Sequence, residues 1–151
     1  MKILLATDGS KQSDAAIEIL KSFALGNGDE IRIISVVDMA VPLAIDIYGG
    51  YLPDTTEMEK TAREHAARIL EETCSKLKGI CENKALTITS EVLFGSPESR
   101  IVETAEEAKI DLIIVGSHGY SRWERLLLGS VSQSVVHHAP CSVLVVRSPA
   151  Q

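Results

Sequence analysis

Cysteine is scarce in this chain, and basic charge is outweighed. The three cysteines, Cys74, Cys81 and Cys141, are odd in number. Cys74 and Cys81 stand seven positions apart, which is neither a C-x-x-C pair nor a zinc spacing. They read as ordinary reduced thiols. Lys and Arg number 15 against 21 Asp and Glu, a net charge of -6. That balance excludes non-specific nucleic-acid binding, which needs a basic face, but a local pocket can still oppose the global sign. No apolar run approaches the about 20 residues of a membrane-spanning helix. No charged leader precedes the strand-like Ile3-Leu4-Leu5-Ala6, so the expectation is a soluble, cytoplasmic protein with no membrane partner. The sequence also lacks a G-x-x-x-x-G-K-[ST] loop, internal repeats, low-complexity tracts and a domain linker. One domain spanning residues 1–151 is expected, long enough to bury a substantial core.

Against these absences stands a regular alternation. Short apolar runs at Ile3 to Thr7, Ile31 to Val37, Leu86 to Phe94, Asp111 to Gly116 and Ser142 to Arg147 read as strands. Most are near-continuous Ile, Leu and Val, the pattern of strands buried on both faces of a parallel sheet. The third alternates and is more polar, which predicts an edge strand. Helical patterns fill the gaps: Ser10 to Leu25, with an Ala16, Ile17, Leu20, Phe23, Ala24 stripe; Thr55 to Lys78, ending before Gly79; Pro97 to Lys109, capped by Ser96; and Ser130 to His138, closed before Pro140. In the long helix, Glu59 with Arg63, Glu64 with Arg68 and Glu72 with Lys76 are spaced as i,i+4 ion pairs on a solvated face, where His65 sits as a surface histidine. The order β-α-β-α-β-α-β-α-β predicts a doubly wound α/β fold, with helices on both faces of a five-stranded parallel sheet. Met39 to Asp54 is a long, apolar irregular stretch. It reads either as a lid over a ligand or as a mobile, partner-contacting loop.

The chemistry concentrates in two glycine clusters. Gly116-Ser117-His118-Gly119 follows the fourth strand, and Gly129-Ser130-Val131-Ser132 opens the last helix. Gly116 and Gly119 allow a sharp turn and a close ligand approach, and amides around them can cradle an anion. The free amides at Gly129 and Ser130, with the positive end of the helix dipole, suit phosphate. The Ser130 and Ser132 hydroxyls are candidate donors to it, and Arg122 and Arg125 candidate cations. Taken singly, Ser130 also reads as a helix cap, Gly116 as a strand end and both arginines as exposed loop residues. Asp8, in Ala6-Thr7-Asp8-Gly9-Ser10, is placed at a strand end to accept from a ribose hydroxyl, or to cap the next helix.

The Ala-Thr-Asp-Gly-Ser start, the G-x2-G-x9-G-S-x-S pattern and the closing Ala-Pro-Cys-Ser-Val-Leu-Val-Val-Arg segment resemble the ATP-binding branch of the universal stress protein family across essentially the whole chain. The resemblance implies sheet order 3-2-1-4-5, an adenine-nucleotide α-hydrolase-like fold and a homodimer joined along Val143 to Val146. It also implies adenine and ribose contacts from Ala6, Thr7, Asp8 and Val36. Ribose and phosphate contacts are implied for Val115, Gly116, Gly119, Gly129, Ser130, Val131 and Ser132. Many family members have proline where this chain has Ala6; the contact there is expected through backbone.

Three functions follow for comparison. One is an ATP-binding regulatory or stress-response protein with at most slow hydrolysis, Mg²⁺ held through the phosphates and an unknown regulatory partner. The second is an enzyme, an ATPase or nucleotidyl-transfer catalyst. Phosphoryl transfer needs metal ligands, a positioned cation and a group that orients the nucleophile, and only Asp8, Glu124 and His118 stand near the glycine clusters, so no catalytic residue is assigned. The third is a module for another adenine nucleotide: AMP, ADP or cyclic AMP. His137 and His138, adjacent on a helix, point about 100° apart and do not converge on a metal.

Overall fold

In the computed structural model, residues 1–38, 55–81, 85–117 and 128–147 are described. The apolar runs become five strands: β1 (Lys2–Ala6), β2 (Glu30–Val37), β3 (Thr87–Phe94), β4 (Leu112–Gly116) and β5 (Ser142–Val146). Between them lie α1 (Lys11–Lys21), α2 (Thr55–Cys81), α3 (Pro97–Ala108) and α4 (Ser130–His138). The strands form one all-parallel sheet in the order β3-β2-β1-β4-β5. This is the expected doubly wound arrangement.

Strand periodicity sorts the core into two layers. Paired residues of a parallel ladder share a face, and successive residues alternate faces. Ile3, Leu5, Ile31, Ile33, Ile114 and Val146 therefore point to one side, where they pack against Ala16, Ile17 and Leu20 of α1 and Leu70 and Leu77 of α2. Leu4, Ile34, Ile113 and Val115 point to the other, against Ile101 and Ala105 of α3 and Val135 of α4. Ile3, Leu4, Leu5, Ile33, Ile34, Ile113 and Ile114 are wholly buried, and each contributes about 1.5–3 kcal/mol relative to exposure. Both faces of β1 and β4 are covered, so their sequences lack polar alternation. β3 at the sheet edge leaves Thr87, Ser90 and Glu91 exposed, as its polar alternation predicts.

Several boundaries differ from the sequence pattern. α1 ends at Lys21, not Leu25: the Ser22 hydroxyl donates to the Ile19 carbonyl at 2.7 Å and its amide turns back to Ile19 and Leu20. α2 runs through Gly79 to Cys81, past the expected end at Lys78. The three expected ion pairs along α2 do not form. Lys76 instead reaches Asp14 of α1 at 2.5 Å, and the Arg63 guanidinium lies 5.6 Å from the centre of the Phe94 ring. His65 is exposed, as expected. α3 stops at Ala108, with Lys109 in the left-handed region at φ 51°. Among the described residues no helix is long and apolar enough to cross a membrane.

Candidate functional site

The chain leaves β1 toward β2 on one side of the sheet, whereas β4 lies on the other side of β1. The connections that leave the C-terminal ends of β1 and β4 therefore run apart, one toward β2 and the other toward β5, the position at which open α/β sheets form ligand crevices. A cleft of about 210 Å³ opens there. Ala6, Thr7, Asp8, Val36, Val115, Gly116, Gly129, Ser130, Val131 and Ser132 all line it. Gly119, together with His118, Arg122, Glu124, Arg125 and the Met39 to Asp54 stretch, lies outside the described residues. Ser13, Ile34, Pro97 and Ile101 also line the cleft and were not singled out by the sequence pattern.

The β1 side is built by a tight turn. Thr7 donates its amide to the Ile34 carbonyl at 3.0 Å, which extends the β1–β2 ladder one step beyond Ala6. Val36 is next along that edge of β2, past the end of the ladder, so its amide and carbonyl have no strand partner there. Gly9 adopts φ 76°, a conformation that disfavours a side chain, and so turns the chain into α1. Asp8 does not cap α1; Ser10 does, with its hydroxyl oxygen accepting the Ser13 amide at 3.3 Å. One carboxylate oxygen of Asp8, Oδ1, accepts the Ser10 amide at 3.0 Å and the Ser13 hydroxyl at 2.5 Å. The Asp8 amide donates back to the Ser13 hydroxyl oxygen at 3.2 Å. The second oxygen, Oδ2, has no hydrogen-bond partner among the described residues.

The β4 side is arranged differently from the sequence expectation in three respects. First, Gly129 is the N-cap of α4 and Ser130 its first helical residue, so Ser130 is not the cap. The Gly129 amide is not free: it donates to the Ser117 carbonyl at 2.8 Å. Second, the buried Ser132 hydroxyl is directed at backbone, 3.0 Å from both the Ser117 and the Gly129 carbonyls, rather than at the cleft. Third, Gly116 has no positive φ and makes no sharp turn. Its missing side chain is required by packing: a Cβ there would meet Gln12 Cβ at 2.9 Å and the Ser13 amide nitrogen at 3.2 Å. The amides of Ser130, Val131 and Ser132 remain without partners among the described residues, as a first helical turn leaves them. The exposed Ser130 hydroxyl also has none.

Part of the lining is apolar, with Ile34, Val36, Ile101 and Val115, and part is polar, with Thr7, Asp8, Ser13, Ser130 and Ser132. This suits a ligand with a flat, apolar part and an anionic tail. Beside the cleft, Pro97 opens α3, and Glu98 in the same turn is held below the usual carboxylate range by donors from Ser96 and from its own amide. At the far end of α4, a ring nitrogen of His138 bonds the Ser134 carbonyl at 2.8 Å; His137 is exposed. Both lie at the opposite end of the helix from the cleft.

Comparison with known proteins agrees with this architecture. The universal stress protein family profile matches residues 1–147. A universal stress protein of Methanocaldococcus jannaschii is 35% identical over 148 residues, covering 98% of this chain and 82% of that relative. A universal stress protein from Lactobacillus plantarum superposes with a TM-score of 0.73 at 24% identity, covering 97% of both chains. A universal stress protein solved in complex with cAMP superposes with a TM-score of 0.67 at 25% identity, covering 99% of this chain and 98% of that one.

Proposed function

The chain belongs to the universal stress protein family, and we propose that it holds an adenine nucleotide, ATP in the first instance, in the cleft between β1 and β4. The observation that carries this reading is one juxtaposition. Three amides at the α4 N-terminus and an Asp8 carboxylate oxygen, all without partners among the described residues, line the same cleft beside apolar side chains. The helix start suits the phosphates, through its amides, its dipole and the Ser130 hydroxyl. Asp8 suits the ribose. The amide and carbonyl of Val36, without partners among the described residues, suit the polar edge of a base lying on Ile34, Ile101 and Val115. Gly119 completes the phosphate loop, and Mg²⁺ is carried on the phosphates. The related structure with bound cAMP supports the choice of an adenine nucleotide.

The protein acts as a cytoplasmic stress-response or regulatory binder, loaded or empty, toward a protein partner, with at most slow hydrolysis. Among the described residues, the polar groups that line the cleft are backbone amides, small hydroxyls and one carboxylate, a set suited to holding charge rather than to activating a water. A homodimer through the open edge of β5 completes the reading, with Val143 to Val146 pairing with a second copy. Residues 1–151 act as one domain.

The alternative ligand is cyclic AMP, favoured by the bound relative. One experiment separates them. Nucleotide released on denaturing the purified protein is identified by chromatography. ATP, ADP and cAMP are then titrated into stripped protein while its melting temperature is followed. A ligand selective for the folded state at a hundredfold excess over Kd adds about 2.7 kcal/mol. ATP stabilisation that weakens stepwise through ADP supports the triphosphate site. A preference for cAMP moves the reading to the second ligand. No stabilisation by any of the three, with or without Mg²⁺, rejects the nucleotide site and leaves the fold.

A further inference from the structure

We infer that Ser13 is the positioning residue that sets the preference of this site for ribose over deoxyribose, by holding the carboxylate of Asp8. The inference rests on the adenine-nucleotide reading of the cleft. Ser13 is the third residue of α1 and is 3% exposed. The helix does not need its hydroxyl, because the Ser10 side chain already caps the Ser13 amide. The hydroxyl instead reaches back to Asp8 and engages it twice: its single proton goes to Oδ1, and its oxygen accepts the Asp8 amide. The Ser10 hydroxyl, 3.2 Å from the Ser13 oxygen, closes the network, and the Ser10 amide adds a second donor to Oδ1.

This arrangement divides the two carboxylate oxygens by task. A carboxylate offers about four acceptor positions, two per oxygen. Oδ1 spends both on Ser13 and Ser10. Oδ2 spends neither on any described residue, and Asp8 lines the cleft. A carboxylate fixed in this way can accept from hydroxyls of a ribose, but one free to rotate must be ordered when ligand binds, which costs affinity. Ser10 and Ser13 are buried and Asp8 is half-buried, so the network is partly screened from water before the ligand arrives. Ser13, with its one hydroxyl proton given to Asp8, thus presets the acceptor. A serine at this point of the helix also suits the packing, since the position is almost wholly buried. The side chain is small enough to fit and polar enough to reach Asp8.

The test is a ratio. Dissociation constants for 2′-deoxy-ATP and 3′-deoxy-ATP are divided by that for ATP, for wild type, Ser13→Ala, Asp8→Ala and the double variant. Loss of a hydrogen bond to a charged acceptor predicts a wild-type ratio of about tenfold or more for at least one analogue. Asp8→Ala takes the ratio to near one. Ser13→Ala lowers it at least about threefold, and adding it to Asp8→Ala changes nothing further, the signature of a residue acting through another. Ser13→Cys, similar in size with a weaker donor, gives an intermediate ratio and serves if the alanine variant is not folded at the assay temperature by circular dichroism. If Ser13→Ala weakens all three nucleotides equally, Ser13 is structural and the inference is overturned. The same holds if wild type binds ATP without discrimination, although nucleotide binding itself then stands. If wild type binds none of the three, both readings fall.

Discussion

The carbonyl of Ser117 and the hydroxyl of Ser132, fifteen positions apart, meet at 3.0 Å, and the same carbonyl takes the Gly129 amide at 2.8 Å. Ser117 in turn donates its amide to the Val146 carbonyl at 2.7 Å. The start of α4 is therefore fastened to the ends of β4 and β5 by protein groups alone. Two neighbouring serines should consequently behave differently. Ser132→Ala leaves a buried carbonyl with one donor fewer and is expected to cost about 1 kcal/mol, a fall in Tm of roughly 2–4 °C, with no nucleotide present. Ser130→Ala removes an exposed hydroxyl without a partner and should stay within about 0.5 kcal/mol of wild type while weakening ATP. Denaturant unfolding of both variants, paired with an ATP titration, checks the contrast. The reverse order of stability effects would show that the hydroxyl roles are misassigned.

Gly116 carries a second expectation. The side that a Cβ would occupy is filled by the first turn of α1, including backbone at 3.1 Å from Gln12. Backbone yields less readily than a side-chain tip, so Gly116→Ala should destabilise the unliganded protein by roughly 1–3 kcal/mol, and Gly116→Val by more. Both should also lower nucleotide affinity, because α1 carries Ser13 and Ser10, which position Asp8. Thermal melts without nucleotide decide the matter: an unchanged Tm for Gly116→Ala would mean that α1 shifts away freely and that the glycine matters only to the ligand.

Much of this was readable from composition and order. Runs such as Leu112 to Val115 are too uniformly apolar for anything but a strand covered on both faces, and each of the five strands appears within one residue of its expected ends. Gly116 and Gly129, one ending a strand and the other preceding a helix, both line the cleft. What escaped depends on contacts between distant residues. Phe23 and Ala24 continue the stripe of α1, yet Ser22 ends the helix by local bonding. Glu72 is spaced to meet Lys76, but Asp14, sixty-two positions away, holds it. Ser132 has the position of a phosphate donor, and only the folded chain reveals a carbonyl fifteen residues back. Ser13 did leave a signal, the Ser-x-x-Ser spacing at the start of α1, which reads as capping until its hydroxyl is seen to turn toward Asp8.

Glu98 gives a pH expectation with a definite sign. Donors from Ser96 and from its own amide lower its affinity for protons in the folded state, and it lies in the first turn of α3, where the helix dipole favours negative charge. A group with a depressed folded value stabilises fully above its ordinary value of 4.5 and loses that contribution as pH falls through the folded value. Glu98→Gln should therefore be less stable than wild type near neutral pH, and the gap should close below pH 4.5. Urea midpoints for both proteins across acid and neutral pH test this. A gap that widens on acidification would give the opposite sign and refute the assignment.

The open edge of β5 allows the proposed dimer to be tested without touching the cleft. In a parallel ladder, alternate residues turn their amide and carbonyl toward one neighbour, and the residues between turn theirs to the other side. The Val146 carbonyl accepts from Ser117 and so faces β4. Val145 therefore presents its amide and carbonyl to the open edge, where a second copy would pair. Proline lacks the amide and is tolerated in a sheet only where that amide faces outward. Val145→Pro should thus leave the β4–β5 ladder intact, at a modest cost in packing against the α3 and α4 layer, while removing a central bond of any antiparallel pairing across two chains. The expected result is a dimer for wild type and a monomer for Val145→Pro by sedimentation velocity, with matching far-UV circular dichroism. Wild-type protein that sediments as a monomer at tens of micromolar would refute pairing along β5. A Val145→Pro variant that remains dimeric would place the contact on another surface.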